Sequence, residues 1–200
     1  MEKLRRKHII ILLVGVAAII MVSLAYVQSI QRQMPDLLSL NPNIPMNIAL
    51  RSPAFIYGKE IPVRYTCDGN NISPPLNWTI LEENPKIRSL LIVMFDPDAP
   101  RGTFIHWLIY NIPVNVKGLP EGIPQLRVMD LGVQALNDFG KIGYDGPCPP
   151  PGSVHRYYIR IYALDSMLSI SSDDPRAILE KASRHVIIYG ELMGTYKRKQ

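Results

Sequence analysis

The feature that most constrains this chain lies in residues 89–111, where an apolar run, SLLIVMF, ends in the turn DPDAPRG and is followed by TFIHWLIYN. Six apolar residues in a row after a serine predict a strand covered on both faces, not the alternating pattern of a strand with one wet face. Proline fixes φ and has no N–H for a ladder, so Pro97 and Pro100 must end that strand and hold Asp96 and Asp98 at a sheet edge or a cavity mouth. In the strand expected next, residues 103–111, side chains alternate with period 2. That predicts His106, Leu108 and Tyr110 on one face and Ile105, Trp107 and Ile109 on the other. A carboxylate turn beside a histidine near the mouth of a buried strand is the raw material of a small polar pocket.

The chain of 200 residues has room for one ordinary domain and a leader. Residues 9–27 carry no charge and follow Lys3, Arg5, Arg6 and Lys7, a span long enough to cross about 30 Å of hydrocarbon as a helix. The basic flank predicts a signal-anchor whose following domain, residues 46–200, faces outward beyond a linker at residues 28–45. The alternative is a cleaved signal peptide with small residues around Ser23 and Ala25, giving a secreted protein. Four basic side chains and one acidic one fall in residues 1–27, so three units of the net +5 belong to the leader and two to the rest. That small excess, without basic runs interleaved with aromatics, excludes a nucleic-acid surface. Cys67 and Cys148 fit no zinc spacing; in an oxidising space they are either a disulfide or two lone buried thiols.

Along the domain, strands are expected at residues 46–55, 61–66, 76–80, 88–95, 103–112, 155–164 and 186–196, with a weaker one at 127–136. Residues 113–126 and the glycine- and proline-rich segment 137–153 read as loops. One helix is expected at residues 175–184, capped by Asp173 or Asp174 with Pro175 at its first position. Mostly short strands with one helix argue an antiparallel β-sandwich. In the strand from His155, alternation puts His155, Tyr157, Ile159 and Ile161 together, with Arg156, Tyr158, Arg160 and Tyr162 opposite.

Two histidines on apolar strand faces, each next to a proline-rich loop, can meet Asp96 at one cavity, or each can be a satisfied core residue. A shared cavity would suit a small anion, with imidazolium and the Tyr144 hydroxyl as donors and a carboxylate orienting the histidine. Affinity for phosphate-like ligands should then rise as pH falls through about 6.5. His155→Ala should weaken binding more than folding, and His106→Ala should cost additional stability because its strand is central. Asp96, His106 and His155 also have the composition of a two-histidine, one-carboxylate metal site, and Ser153 near His155 invites a hydrolase reading, but neither has the usual spacing or elbow. No catalytic residue, metal or cofactor is assigned. Asn71-Ile72-Ser73 and Asn77-Trp78-Thr79 are glycosylation acceptor patterns.

The segments GKEIPVRYTCDGNNISPPLNW, FDPDAPRGTFIHWLIYNIP, GYDGPCPPPGSVHRYYIRIYALD and ELMGTY resemble the phosphatidylethanolamine-binding protein family, in its bacterial and archaeal branch often called Raf kinase inhibitor-like. The resemblance runs over residues 46–196. It implies a large antiparallel sheet packed on a smaller one and a shallow anion pocket at one end, lined by Asp96, Asp98, His106, Pro149, Pro150, His155 and Tyr157. It also places Cys67 and Cys148 around that same end. Members bind phosphate or phosphoethanolamine head groups there, and some inhibit kinases or serine proteases, so a protein partner gripped through the pocket is the alternative function. Animal members continue into a C-terminal helix at the pocket mouth, whereas four residues follow Tyr196 here.

Overall fold

The computed structural model describes residues 43–198 together with Met21 and Leu38; the anchor expected at residues 9–27 and most of the linker lie outside the described residues. Among the described residues no helix is long and apolar enough to cross a membrane.

Among the described residues the strands are β1 (Ile48–Arg51), β2 (Leu76–Ile80), β3 (Ser89–Asp96), β4 (Phe104–Ile112), β5 (Gly118–Leu119), β6 (Val128–Met129), β7 (Gly132–Gln134), β8 (Val154–Leu164) and β9 (Val186–Lys197). They form a three-stranded sheet, β1-β2-β5, and a six-stranded sheet, β6-β7-β4-β3-β8-β9, with every pair of named strands antiparallel. The small sheet packs on one face of the large one. Helix α1 (Pro175–Ser183), which starts where Asp174 accepts a hydrogen bond from the Arg176 N–H, packs on the other.

β3 is buried throughout because it lies between two cores. Leu90, Ile92 and Met94 point into the layer shared with Leu50, Leu76 and Trp78, while Leu91, Val93 and Phe95 point to Ile178, Leu179 and Ala182 of α1. Full burial of each such side chain is worth roughly 1.5–3 kcal/mol, so this strand anchors the sheet and fixes where its last residue, Asp96, must sit.

Three segments of the chain depart from the expected elements. Residues 61–66 are not a strand but a 3-10 turn at Val63–Tyr65. The chain runs beside β9 from Lys59 to Ile61; then Pro62, without an N–H, ends the pairing, and the Thr66 hydroxyl closes on the Val63 carbonyl. The weak strand at residues 127–136 is a short hairpin of β6 and β7, and β5 is a two-residue strand inside the expected loop.

β4 is also not a regular alternating strand. Its pairing with β3 slips between Met94↔Trp107 and Phe95↔Ile105, and again between Leu90↔Ile112 and Ile92↔Ile109, one extra β4 residue each time. Trp107 and Ile109 share one core and Leu108 and Tyr110 the other, as alternation requires. Ile105, however, joins Leu108 and Tyr110. His106 is thereby moved off the face predicted for it and onto that of Tyr157, because the bulge inserts one residue and reverses the phase beyond it. At the second bulge Asn111 has φ 56 and its amide exchanges two hydrogen bonds with Leu168.

Candidate functional site

The end of β3 and the start of β8 lie side by side, and the site begins there. Asp96 Oδ1 accepts from the Asp98 N–H at 2.8 Å, the local turn bond expected where an aspartate meets a proline-rich turn. Its Oδ2 lies 2.7 Å from Nδ1 of His155, and the two residues are 3% and 6% exposed. A carboxylate only accepts, so Nδ1 of His155 carries the proton and Nε2 is the free ring nitrogen. His155 is therefore no loosely held pocket-edge side chain. Removing it strands a buried carboxylate, so the expectation that it adds little to folding does not stand.

His106 comes to the same place from the bulge of β4. Its Nδ1 is 2.8 Å from the Asp145 carbonyl and donates to it, again leaving Nε2 free. The ring sits edge-on to Tyr157 and Phe139, 5.3 and 5.5 Å between centroids, and tilted against Phe104. Burial holds this imidazole below its ordinary value, against the weaker pull of the Asp145 carbonyl and of Asp96, so it is neutral at pH 7.

Between the two imidazoles opens a cavity of about 300 Å³ lined by Asp96, Ala99, Pro100, Phe104, His106, Phe139, Cys148, Pro149, Pro150, His155 and Arg198. Of the residues singled out from sequence, Asp96, His106, His155, Pro149 and Pro150 are on that lining. Phe104, Phe139 and Arg198 are functional candidates that sequence reasoning missed. Phe139 stands in an aperiodic loop and left no signal. Arg198 continues the inward period of Leu192, Gly194 and Tyr196 on β9, which could have revealed it.

The wall opposite the sheet is the loop of residues 137–150. The Asn137 side chain accepts from Phe139 N and Lys141 N and donates to the Gly143 carbonyl. Asp138 accepts from the Ile105 N–H and pairs with Arg176 of α1. Gly146 lies so close to the Tyr65 carbonyl that a Cβ would come within 2.0 Å of the oxygen. Cys67 and Cys148, with Cα atoms 5.4 Å apart, form a disulfide that joins this wall to the segment after the 3-10 turn.

The model of the phosphatidylethanolamine-binding protein family matches residues 51–197. The chain belongs to that family. It is 49% identical over 153 residues to a UPF0098 protein of Pyrococcus horikoshii, covering 74% of this chain and 76% of the relative. A phosphatidylethanolamine-binding protein homologue of Chlamydia trachomatis superposes with a TM-score of 0.66 at 41% identity, covering 76% of this chain and 97% of that one. YbcL of E. coli, described as a member of the mammalian phosphatidylethanolamine-binding protein family, superposes with a TM-score of 0.70 at 27% identity over 76% and 99%.

Three residues expected at the pocket from family resemblance or composition lie off its lining. Asp98 is turned away and bound by the Arg156 backbone N–H and guanidinium at 2.6–2.9 Å, and that guanidinium holds its carboxyl below the usual range. Tyr157 is fully buried behind the two imidazoles, and its hydroxyl has no hydrogen-bond partner. Burial and the nearby Asp96 push its pKa far up. Tyr144 is a core residue: its ring stands edge-on to Trp107, and its hydroxyl donates to the Tyr65 carbonyl at 2.6 Å.

The rival chemistries find different surroundings in this family member. Ser153 Oγ donates to the Pro150 carbonyl at 2.6 Å and is not bonded to an imidazole. Among the described residues no three His, Cys, Asp or Glu side chains gather as metal ligands. Asn71 has both ends of its amide engaged, by Asp145 and by the Gly146 N–H, while Asn77 is exposed beside buried Trp78.

Proposed function

We propose that the protein is a non-enzymatic binder of a small oxyanion, a phosphate or phosphorylated head group, held in the pocket around Asp96, His106 and His155. One observation carries this reading: both imidazoles have Nδ1 tied to the protein, by a carboxylate and by a carbonyl, which leaves two Nε2 atoms for one ligand. The two nitrogens have different work. His155, oriented by the Nδ1 bond to Asp96, presents its Nε2 edge to an oxyanion. Neutral His106 accepts, so it suits a ligand that carries a donor next to its anionic oxygens, such as the hydroxyl of protonated phosphate or the ammonium of phosphoethanolamine. The pocket is at the small end of the size range for small-molecule sites, which fits a head group better than a whole lipid.

Membership of the phosphatidylethanolamine-binding protein family supports the reading. So does the Ser153 hydroxyl, which lacks the base a nucleophile needs. In this reading the domain works outside the membrane that its apolar leader spans, as an anchored binding or regulatory module. The test is thermal unfolding with and without inorganic phosphate for wild type, His155→Ala and His106→Ala. Phosphate at 100 times its Kd adds about 2.7 kcal/mol to the folded state, a shift the wild type should show and both variants should lose. Equal phosphate shifts in all three proteins sink the proposal.

A further inference from the structure

We propose that Arg198 is the anion-selecting residue of this pocket, placing a fixed positive charge at its mouth; this rests on the anion reading above. Its position, its tether and its free donors support the assignment. Arg198 lies on the same lining as Asp96, His106 and His155 and is the only Lys or Arg on it. Without it, the sole fixed charge on the lining is the Asp96 carboxylate, which repels the anion the pocket is meant to hold. A guanidinium stays charged at every physiological pH.

The side chain is also held in place. Its Nε donates to Asp68 Oδ1 at 3.0 Å, and the other oxygen of Asp68 accepts from the Tyr196 hydroxyl at 2.7 Å. Its own carbonyl accepts from the Gly152 N–H. Asp68 follows Cys67, which is bridged to Cys148 in the pocket wall, so the tether of the guanidinium and the wall it faces share one covalent link.

The tether leaves the useful part of the group unspent. Nε accounts for one of the five N–H bonds of the guanidinium, and among the described residues both Nη groups lack a hydrogen-bond partner. With its side chain 39% exposed, Arg198 meets solvent and cavity together. Two free Nη groups at a cavity rim match two oxygens on one centre. The ligand class is therefore a phosphate, phosphomonoester or similar oxyanion, bound at the rim by Arg198 and deeper by the imidazoles.

The experiment is isothermal titration of the full-length chain with inorganic phosphate at pH 7.5, for wild type, Arg198→Gln and Arg198→Lys, with the unligated melting temperature of each measured alongside. Arg198→Gln should bind at least about tenfold more weakly, and Arg198→Lys, which keeps the charge but loses the fork, should fall between them. Both variants should melt with the wild type, since an exposed ion pair contributes little to folding. If the wild type binds phosphate and Arg198→Gln binds it equally well, Arg198 has no such role and the anion reading stands. Absence of binding by the wild type removes both. A loss of affinity matched by a loss of fold also counts against the assignment.

Discussion

One side of the pocket is built from strands and the other from a loop, and the two are held by different forces. On the sheet side Asp96, His106 and His155 take their places from ladder register and one bulge, backed by apolar cores on both faces. That restraint is spread over many residues. The loop side, residues 137–150, has a single isolated bridge, Leu136↔Ile142, scattered backbone bonds such as those from the Asp138 and Asp145 N–H groups to the Ile105 and His106 carbonyls, and a few side-chain ties: Asn137, Asp138, Tyr144 and the Cys67–Cys148 bond. Strand-built walls resist single substitutions outside their charged residues, whereas a loop-built wall concentrates its stability in a few groups.

The largest effect should therefore come from the loop side. Replacing Cys67 and Cys148 together by serine opens a loop of sequence separation 81. It should cost about 4 kcal/mol in chemical denaturation, since a disulfide acts mainly by restricting the unfolded chain. A cost below that of the next substitution would reverse the ranking of the two sides.

That next substitution is Asp96→Ala, on the sheet side. It leaves buried His155 and the Asp98 N–H without their partner, and about 3 kcal/mol should be lost in the same assay. If Asp96→Ala proves almost neutral, His155 relaxes into the cavity and the sheet side is softer than its register implies.

A smaller effect separates the two imidazoles by pH. The folded value of His106 lies below its unfolded one, so from about pH 6.5 downward the unfolded chain takes up a proton that the native state refuses. The contribution is intact above that pH and is lost as pH falls through the lower folded value. His106→Gln should flatten the fall of melting temperature between pH 7 and about pH 5 relative to wild type; parallel curves would mean the ring is not buried neutral. The same sign qualifies the expected gain in phosphate affinity at low pH, because burial opposes protonation of His106. The smallest effect belongs to Asp98→Asn, which loses a half-exposed pair with Arg156 and should change stability by less than about 1 kcal/mol without altering phosphate binding.

Legibility in the sequence follows the same division. β3, β8 and α1 were readable because burial on two faces, alternation and a capped proline start each leave a local pattern. Asp96 and His155 were correctly brought together by that logic. The face of His106 was misread because a bulge changes phase without changing composition: nothing in FIHWLIYN marks the extra residue. Tyr144 looked like a ligand because a tyrosine among glycines reads as surface, yet Gly146 lets the loop close on Tyr65 and draws that hydroxyl inside. Phe139 belongs to an aperiodic wall that Asp138 ties to Ile105 and Arg176, partners which no local window contains.

The disulfide also divides the polypeptide topologically. Residues 67–148 form a closed covalent ring that contains Asp96 and His106, while His155 and Arg198 lie on the open tail beyond it. The candidate cavity is thus a junction of ring and tail. A protease that nicks the exposed turn at Arg101 would leave both pieces in one molecule, running as a single band until thiol is added and as two afterwards. A cut between Cys148 and His155 would instead sever the two imidazoles into fragments that only noncovalent contacts hold together.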